Sequence, residues 1–267
     1  MICGLFKLIV SVAATFGGIF AFDVKGTHLL WFVPVSFIVG FIAANVLLWL
    51  FFLIVAGTAN KNPKGEKLSL FYGNVMNAAL IEACGIVRIK ANVTGAELLP
   101  NEPYLLIANH RSNFDNFILS SVIRNPYLVF ISKPSNFKIP FAGRLAARCR
   151  YLAIDRENPR QALKTIHKAA DMVKNVGASI CVFPEGTRGH VDGEVAPFSE
   201  GCFLIAKKSG CPIVVASLKG TQNIHKRFPL TTDVEVNFLK VITADEVAAK
   251  RSGELSDIAR SIISENL

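Results

Sequence analysis

Charge is what the front of this sequence lacks. From Gly26 to Asn60 there is no Lys, Arg, Asp or Glu, and from Met1 to Phe22 the only charge is Lys7. A membrane helix needs about 20 apolar residues, so each block is long enough to span a bilayer or to enter it as one arm of a hairpin. Asp23-Val24-Lys25-Gly26-Thr27-His28 reads as the polar turn between them. The second block exceeds the length of one span, so tilt or a kink near Pro34 is expected. A cleaved signal peptide fits less well, because the basic n-region is weak and a second apolar block follows at once. Two buried core helices fit less well too, given uncharged runs of this length.

Other absences narrow the chemistry. The six cysteines form no CxxC pair and no zinc-ligand cluster, so no metal site is expected. Several sit in apolar runs, as in Ser179-Ile180-Cys181-Val182-Phe183, and read as free buried thiols of a reducing compartment. GxSxG is missing, which removes the serine nucleophile elbow. Walker and dinucleotide fingerprints are missing as well, and no cofactor is expected. There is no internal repeat, no low-complexity tract and no basic segment with interleaved aromatics. Nucleic acid is therefore not an expected partner.

Basic charge is present, and it is unevenly placed. The net charge is +9, but the first sixty residues carry only Lys7, Asp23 and Lys25, leaving +8 for the remainder. Beside an apolar anchor, an anionic bilayer surface is the expected partner for that charge. Lys61, Lys64 and Lys67 follow the second block directly. Lysines in that position favour the cytoplasmic side, which places the later residues on the cytosolic face of the cell membrane. The expected division is a membrane-embedded hairpin over 1–60 and a cytosolic domain over 61–267.

Residues 68–84 mix apolar and polar positions at helical spacing, fitting either an amphipathic helix on the bilayer or a core helix. Beyond them, short apolar runs alternate with helical patterns. Strands are expected at 86–93, 103–108, 127–132, 151–154, 179–183, 213–218 and 232–241. Helices are expected at 114–123, 141–148, 159–176, 199–209, 244–251 and 254–265. Pro159 suits a helix start and Gly177 a helix end. The alternation argues for an α/β fold, a layered sheet flanked by helices, preceded by the N-terminal membrane helix pair.

The segment Asn109-His110-Arg111-Ser112-Asn113-Phe114-Asp115 follows the strand candidate Tyr104-Leu105-Leu106-Ile107. Loops at strand ends of α/β sheets are where ligand sites form. Within one helix, five residues turn about 500°, leaving the side chains of His110 and Asp115 roughly 140° apart. They meet only if His110 stays in the loop and the helix begins between them, with Ser112 or Asn113 as its N-cap. Asp115 would then hold one imidazole nitrogen while the other acts as a general base. Unpaired N–H groups at the helix start would suit an oxyanion. On its own HxxxxD is a weak pattern, and it reads first as a structural loop histidine and a helix-start carboxylate.

A second segment shifts that balance. Phe183-Pro184-Glu185-Gly186-Thr187-Arg188 turns at the end of another strand. Gly186 permits a tight path or close approach of a ligand. Arg188 can hold a phosphate through two parallel hydrogen bonds. Lys133 and Arg156 also follow strand candidates, although Asp155-Arg156 fits a surface salt bridge too. His110, Lys133, Arg156 and Arg188 thus end four successive strands, a base and three cations suited to an anionic substrate. His28, His167, His190 and His225 have no comparable setting.

At these residues the chain resembles the glycerolipid acyltransferase family. Its first block, NHxSxxD, matches Asn109 to Asp115, and its third matches Phe183 to Arg188 in full. Tyr151-Leu152-Ala153-Ile154-Asp155-Arg156 resembles the second, and Lys133 with Lys138-Ile139-Pro140-Phe141-Ala142-Gly143 fits the interval between. The similarity covers roughly 85–220. Departures are Pro212-Ile213-Val214-Val215-Ala216 without the usual second proline, Gly189 in place of a serine, and Glu200 where a basic residue is common.

The resemblance implies acyl transfer from acyl-CoA or acyl-carrier protein, as co-substrate, to the sn-2 hydroxyl of 1-acyl-glycerol-3-phosphate, giving phosphatidate. It implies His110 as base and Asp115 as its orienting partner. Glu185, Gly186 and Thr187 would lie on the substrate, with Arg188, Arg156 and Lys133 at its phosphate. Glycerol-3-phosphate or another lysophospholipid as acceptor stays open. So does a non-catalytic lipid-binding membrane protein that keeps the fold.

Overall fold

The computed structural model describes residues 2–60, 67–187 and 194–267, in two compact units, Met1–Thr58 and Ala59–Leu267. The first unit is a helical hairpin of α1 (Ile2–Ala21) and α2 (Leu29–Thr58), joined by a short turn. Its helices meet through small residues. Ser11 and Thr15 of α1 are buried against a stripe on α2 that includes Gly40 and Ala44. A Cβ on Gly40 would lie 2.9 Å from both the Ser11 Cα and the Ala14 Cβ, so only glycine allows this approach. The two hydroxyls donate back within their own helix, to the carbonyls of Lys7 (2.7 Å) and Ser11 (2.9 Å). Small residues at the seam with satisfied hydroxyls are the packing of helices in lipid. The outward side chains, including Leu5, Ile9, Phe16, Leu30, Val46 and Ile54, are exposed and apolar. By length and composition both helices can cross a membrane. Pro34 lies inside α2.

In the second unit a strand forms at each of the seven expected segments, three of them ending one residue later than expected. The sheet order is β1 (Ile89–Thr94), β7 (Thr232–Ile242), β6 (Ile213–Lys219), β2 (Leu105–Ala108), β5 (Ser179–Val182), β3 (Leu128–Ser132), β4 (Leu152–Ala153). All pairings are parallel except β6 with β7. The central strands are buried on both faces, which is why they read as continuous apolar runs without alternation. Leu105 and Ile107 enter one core with Ile180, Val182, Ile213 and Val215. Leu106 and Ala108 enter the other with Cys181, Val214 and Ala216.

Helices cover both faces. The first core is closed by α6 (Pro159–Asp171), α7 (Leu204–Ser209), α9 (Ala244–Ala249) and α10 (Ser252–Ser264). The second is closed by α3 (Leu70–Ile86), α4 (Asp115–Ile123) and α8 (Ile224–Arg227). The remaining helix, α5 (Ala142–Arg148), precedes β4. Of the two readings open for 68–84, the structure takes the core helix. Val75, Met76, Leu80 and Cys84 are buried, and a Cβ on Gly73 would collide with the Pro126 carbonyl. The helix pattern at 159–176 is α6 continued by a single π turn, Met172–Val176, with Gly177 in the left-handed region as its cap.

This order fixes where the site lies. β2, β5, β3 and β4 are neighbours and run the same way, so the loops after all four emerge on one edge of the sheet. Those loops carry His110, the turn at Pro184, Lys133 and Arg156.

Candidate functional site

Asn109 anchors the first loop. Its side chain is buried, donates to the Leu218 carbonyl (2.9 Å) and accepts from the Leu218 N–H (2.7 Å), extending the β2–β6 ladder by one side-chain amide. His110 follows, partly exposed, and the loop returns to α4 with Asp115 in its first turn. Asp115 is fully buried. Its Oδ2 lies 2.8 Å from His110 Nδ1 and accepts from the backbone N–H groups of Arg111 (2.7 Å) and Ser112 (2.8 Å). The carboxylate thus fastens the loop that presents the imidazole as well as the imidazole itself. Asp115 Oδ1 is buried with no hydrogen-bond partner among the described residues.

Two local expectations change. The residue before the helix is Phe114, without a side-chain cap, instead of Ser112 or Asn113. Ser112 acts one step earlier, its Oγ accepting from the Phe114 N–H (3.3 Å) and its carbonyl from the Asp115 N–H (3.3 Å). The N–H groups of Arg111, Ser112, Phe114 and Asp115 are therefore spent inside the loop and are not available to an oxyanion.

The second segment meets the first at His110. The Phe183 ring stacks on the imidazole, with centroids 4.4 Å apart and planes at 17°. Glu185 reaches across from the neighbouring strand end. Its Oε1 accepts from the His110 backbone N–H (2.7 Å) and its Oε2 from the Ala196 N–H (3.2 Å). Burial pushes the Glu185 carboxyl above the ordinary glutamate range, although both hydrogen bonds pull the other way. Glu185, expected on the substrate, also positions protein backbone, each oxygen accepting one N–H. Gly186 has φ +75°, and a Cβ there would strike the Arg156 guanidinium, so the turn and Arg156 pack directly together. Partial burial lowers the Arg156 pKa from its ordinary value. No Asp155–Arg156 ion pair occurs among the described residues; Asp155 Oδ1 accepts from the Glu157 N–H instead.

These groups line one cleft of about 1020 Å³. Its wall includes His110, Lys133, Arg156, Glu185, Gly186 and Thr187. Arg188 and His190 lie outside the described residues, as do Lys61, Lys64 and Gly189; Lys67 is exposed. The structure therefore brings together the base candidate, its carboxylate and two of the three cations. Asn109, Phe183 and the backbone role of Glu185 were missed by sequence reasoning. An amide between a strand and the histidine, and an aromatic at the next strand's end, were the available signals. Near Asp115, burial and the aspartate charge push the Cys181 thiol up, so it remains neutral.

The family model described as Acyltransferase matches residues 90–219. The 1-acyl-sn-glycerol-3-phosphate acyltransferase of Escherichia coli (strain K12) is 34% identical over 175 residues, covering 65% of this chain and 70% of the relative. The chloroplastic 1-acyl-sn-glycerol-3-phosphate acyltransferase BAT2 of Brassica napus is 33% identical over 182 residues. That match covers 67% of this chain, and the chain spans about half (51%) of the Brassica protein. The crystal structure of the 1-acyl-sn-glycerophosphate (LPA) acyltransferase from Thermotoga maritima has the same fold, with TM-score 0.58 and 21% identity over 83% of this chain and 94% of that one.

Proposed function

The chain belongs to the acyltransferase family, and from that premise we propose that it moves an acyl group from a thioester to the sn-2 hydroxyl of 1-acyl-glycerol-3-phosphate, giving phosphatidate. The observation that carries this reading is the 2.8 Å contact of His110 Nδ1 with buried Asp115, in a cleft that also holds Lys133 and Arg156. A carboxylate on Nδ1 leaves Nε2 as the nitrogen for the cleft, in the tautomer able to accept a proton.

In this reading the acceptor hydroxyl gives its proton to Nε2 as its oxygen attacks the thioester carbonyl. The tetrahedral adduct collapses, the C–S bond breaks, and the leaving thiolate takes the proton back from the imidazolium. An ester and a free thiol result, with no covalent enzyme intermediate. Asp115 holds the ring and offsets its transient positive charge. Arg156 and Lys133, with Thr187 beside them and Arg188 assigned through its sequence block, bind the phosphate. The donor is acyl-CoA or acyl-carrier protein, and no cofactor is called for. The two apolar helices anchor the protein in the membrane, with 61–267 on its cytosolic face. Both lipid substrate and lipid product then stay within reach of the cleft.

The test is turnover by His110→Ala. Loss of a factor of about 10² or more is expected, with folding and lysolipid binding intact. Unchanged turnover would remove His110 as the base, and no turnover in the unaltered protein would favour lipid binding without catalysis. A panel of lysolipids and glycerol-3-phosphate tests the acceptor. Accessibility of the 23–28 turn to an impermeant label from the outer side tests the anchor.

A further inference from the structure

Outside the cleft, the outer face of α6 forms a second depression of about 560 Å³. It is lined by the apolar side chains of Leu163, Met172 and Val176 and by the basic ones of Arg160, Lys164, His167 and Lys168. Arg150 adds a further cation, against Asp171 as the single acidic residue in the wall. Arg160, Lys164 and Lys168 follow one another at four-residue spacing on one helix face, where like charges repel. Among the described residues the ion pairs include none of these three. Like charges at this spacing on Arg160, Lys164 and Lys168 weaken the helix, and a bound polyanion would relieve the repulsion. Leu163, 48% exposed, lines this depression and the catalytic cleft alike, so the two meet over that side chain.

We propose that this groove binds the nucleotide end of coenzyme A. The inference rests on the acyl-transfer reading, and it assigns the polar handle of the donor to a place. A purine needs an apolar surface to lie on, and the phosphates of a 3′-phosphorylated ADP need cations around it. The groove offers both, and its volume falls within the range of small-molecule pockets, about 300–1,000 Å³. The pantetheine arm would leave over Leu163 and carry the thioester into the cleft beside His110. Concavity favours a small molecule over an acidic protein helix, which docks on an extended surface.

The full chain in lipid nanodiscs is titrated with coenzyme A and followed by calorimetry. Saturable binding is expected, weakened about tenfold or more in K164E/K168E and weakened by added salt. The neutral pair K164Q/K168Q should fall between, which guards against misfolding of the charge-reversed variant. Adenosine 3′,5′-bisphosphate should compete. In turnover, the KM for acyl-CoA should rise by a similar factor, while kcat and the KM for lysolipid stay put. No binding to the unaltered chain, or equal binding to both variants, overturns the proposal. So does a response confined to acyl-carrier-protein donors. Coenzyme A binding as expected with no lysolipid acylated would instead defeat the acyl-transfer reading and leave the groove assignment standing.

Discussion

Asp115→Asn separates the two jobs assigned to the buried carboxylate. Asp115 Oδ2 receives His110 Nδ1 and two backbone N–H groups, from Arg111 and Ser112. An asparagine can place either its oxygen or its NH2 group there. The NH2 would face two N–H donors, so the oxygen takes that position and continues to accept from Nδ1. The imidazole tautomer is thereby kept, unlike in a triad whose asparagine flips the ring to the wrong tautomer at a loss of about 10⁴. What disappears is the negative charge opposite the imidazolium. A hydrogen bond to a charged group contributes about 1.5–3 kcal/mol, and each 1.36 kcal/mol is a factor of ten, so kcat should fall by roughly 10–10². The NH2 occupies the place of Oδ1, which is buried without a partner among the described residues. That costs about 1–3 kcal/mol of stability, or a Tm several degrees lower. Acyl-transfer kinetics and thermal melting of one preparation test both numbers. A kcat within twofold of the unaltered enzyme would refute the electrostatic role. A loss near 10⁴ would show that the two backbone donors do not hold the amide's orientation.

Gly186→Ala should lower stability by about 1 kcal/mol, because φ is positive there. It should also raise the KM for the phosphorylated acceptor several-fold by displacing Arg156; an unchanged acceptor KM would dissociate Arg156 from the phosphate. Glu185 gives a pH signature. Its folded pKa lies above the ordinary 4.5, so its contribution to stability is fully present below that value and is lost as pH rises through the raised one. The Tm of the unaltered protein minus that of Glu185→Gln should fall as pH rises across this window, and parallel curves would refute the shift. Burial pushes Cys84 up to about 11 and Cys149 and Cys202 up to about 12, and raises Cys181 and Cys211 as well. At pH 8 a colorimetric disulfide reagent should find at most Cys3 in the native protein and all six thiols after denaturation. Rapid reaction of a second thiol would contradict the burial.

The sheet was legible because its central strands are buried on both faces, and continuous apolar runs bounded by Gly, Pro or polar residues are their signature. Helices with one buried face, such as α6, were legible from their spacing. The segment at 68–84 was not decided, because an amphipathic pattern does not say whether the apolar stripe meets protein or lipid; Gly73 against the Pro126 carbonyl is a tertiary fact. The short helix α8 has too few residues to show a period. At the site, His110 and Asp115 stood out through chemistry and spacing. The partners of Asn109 and Glu185 did not, since each bonds to the backbone of a strand or loop distant in sequence. Such a partner becomes visible only once strand order and register are known.

Register also explains why two motifs 75 positions apart act as one device. Ile107 pairs with Val182, so β2 and β5 end side by side and their loops leave the sheet in contact. Glu185 then holds the backbone of His110 while Phe183 covers one face of its ring, and Asp115 holds the ring nitrogen. The imidazole is fixed at three points by residues from two separate segments, only one of which contains the base. A shift of β5 by one residue would invert the faces of its own side chains and displace the Phe183–Glu185 turn that follows, releasing its contacts with His110. Loss of the Pro184 turn should therefore depress kcat as strongly as a change beside His110, even though Pro184 itself supplies no group to the reaction.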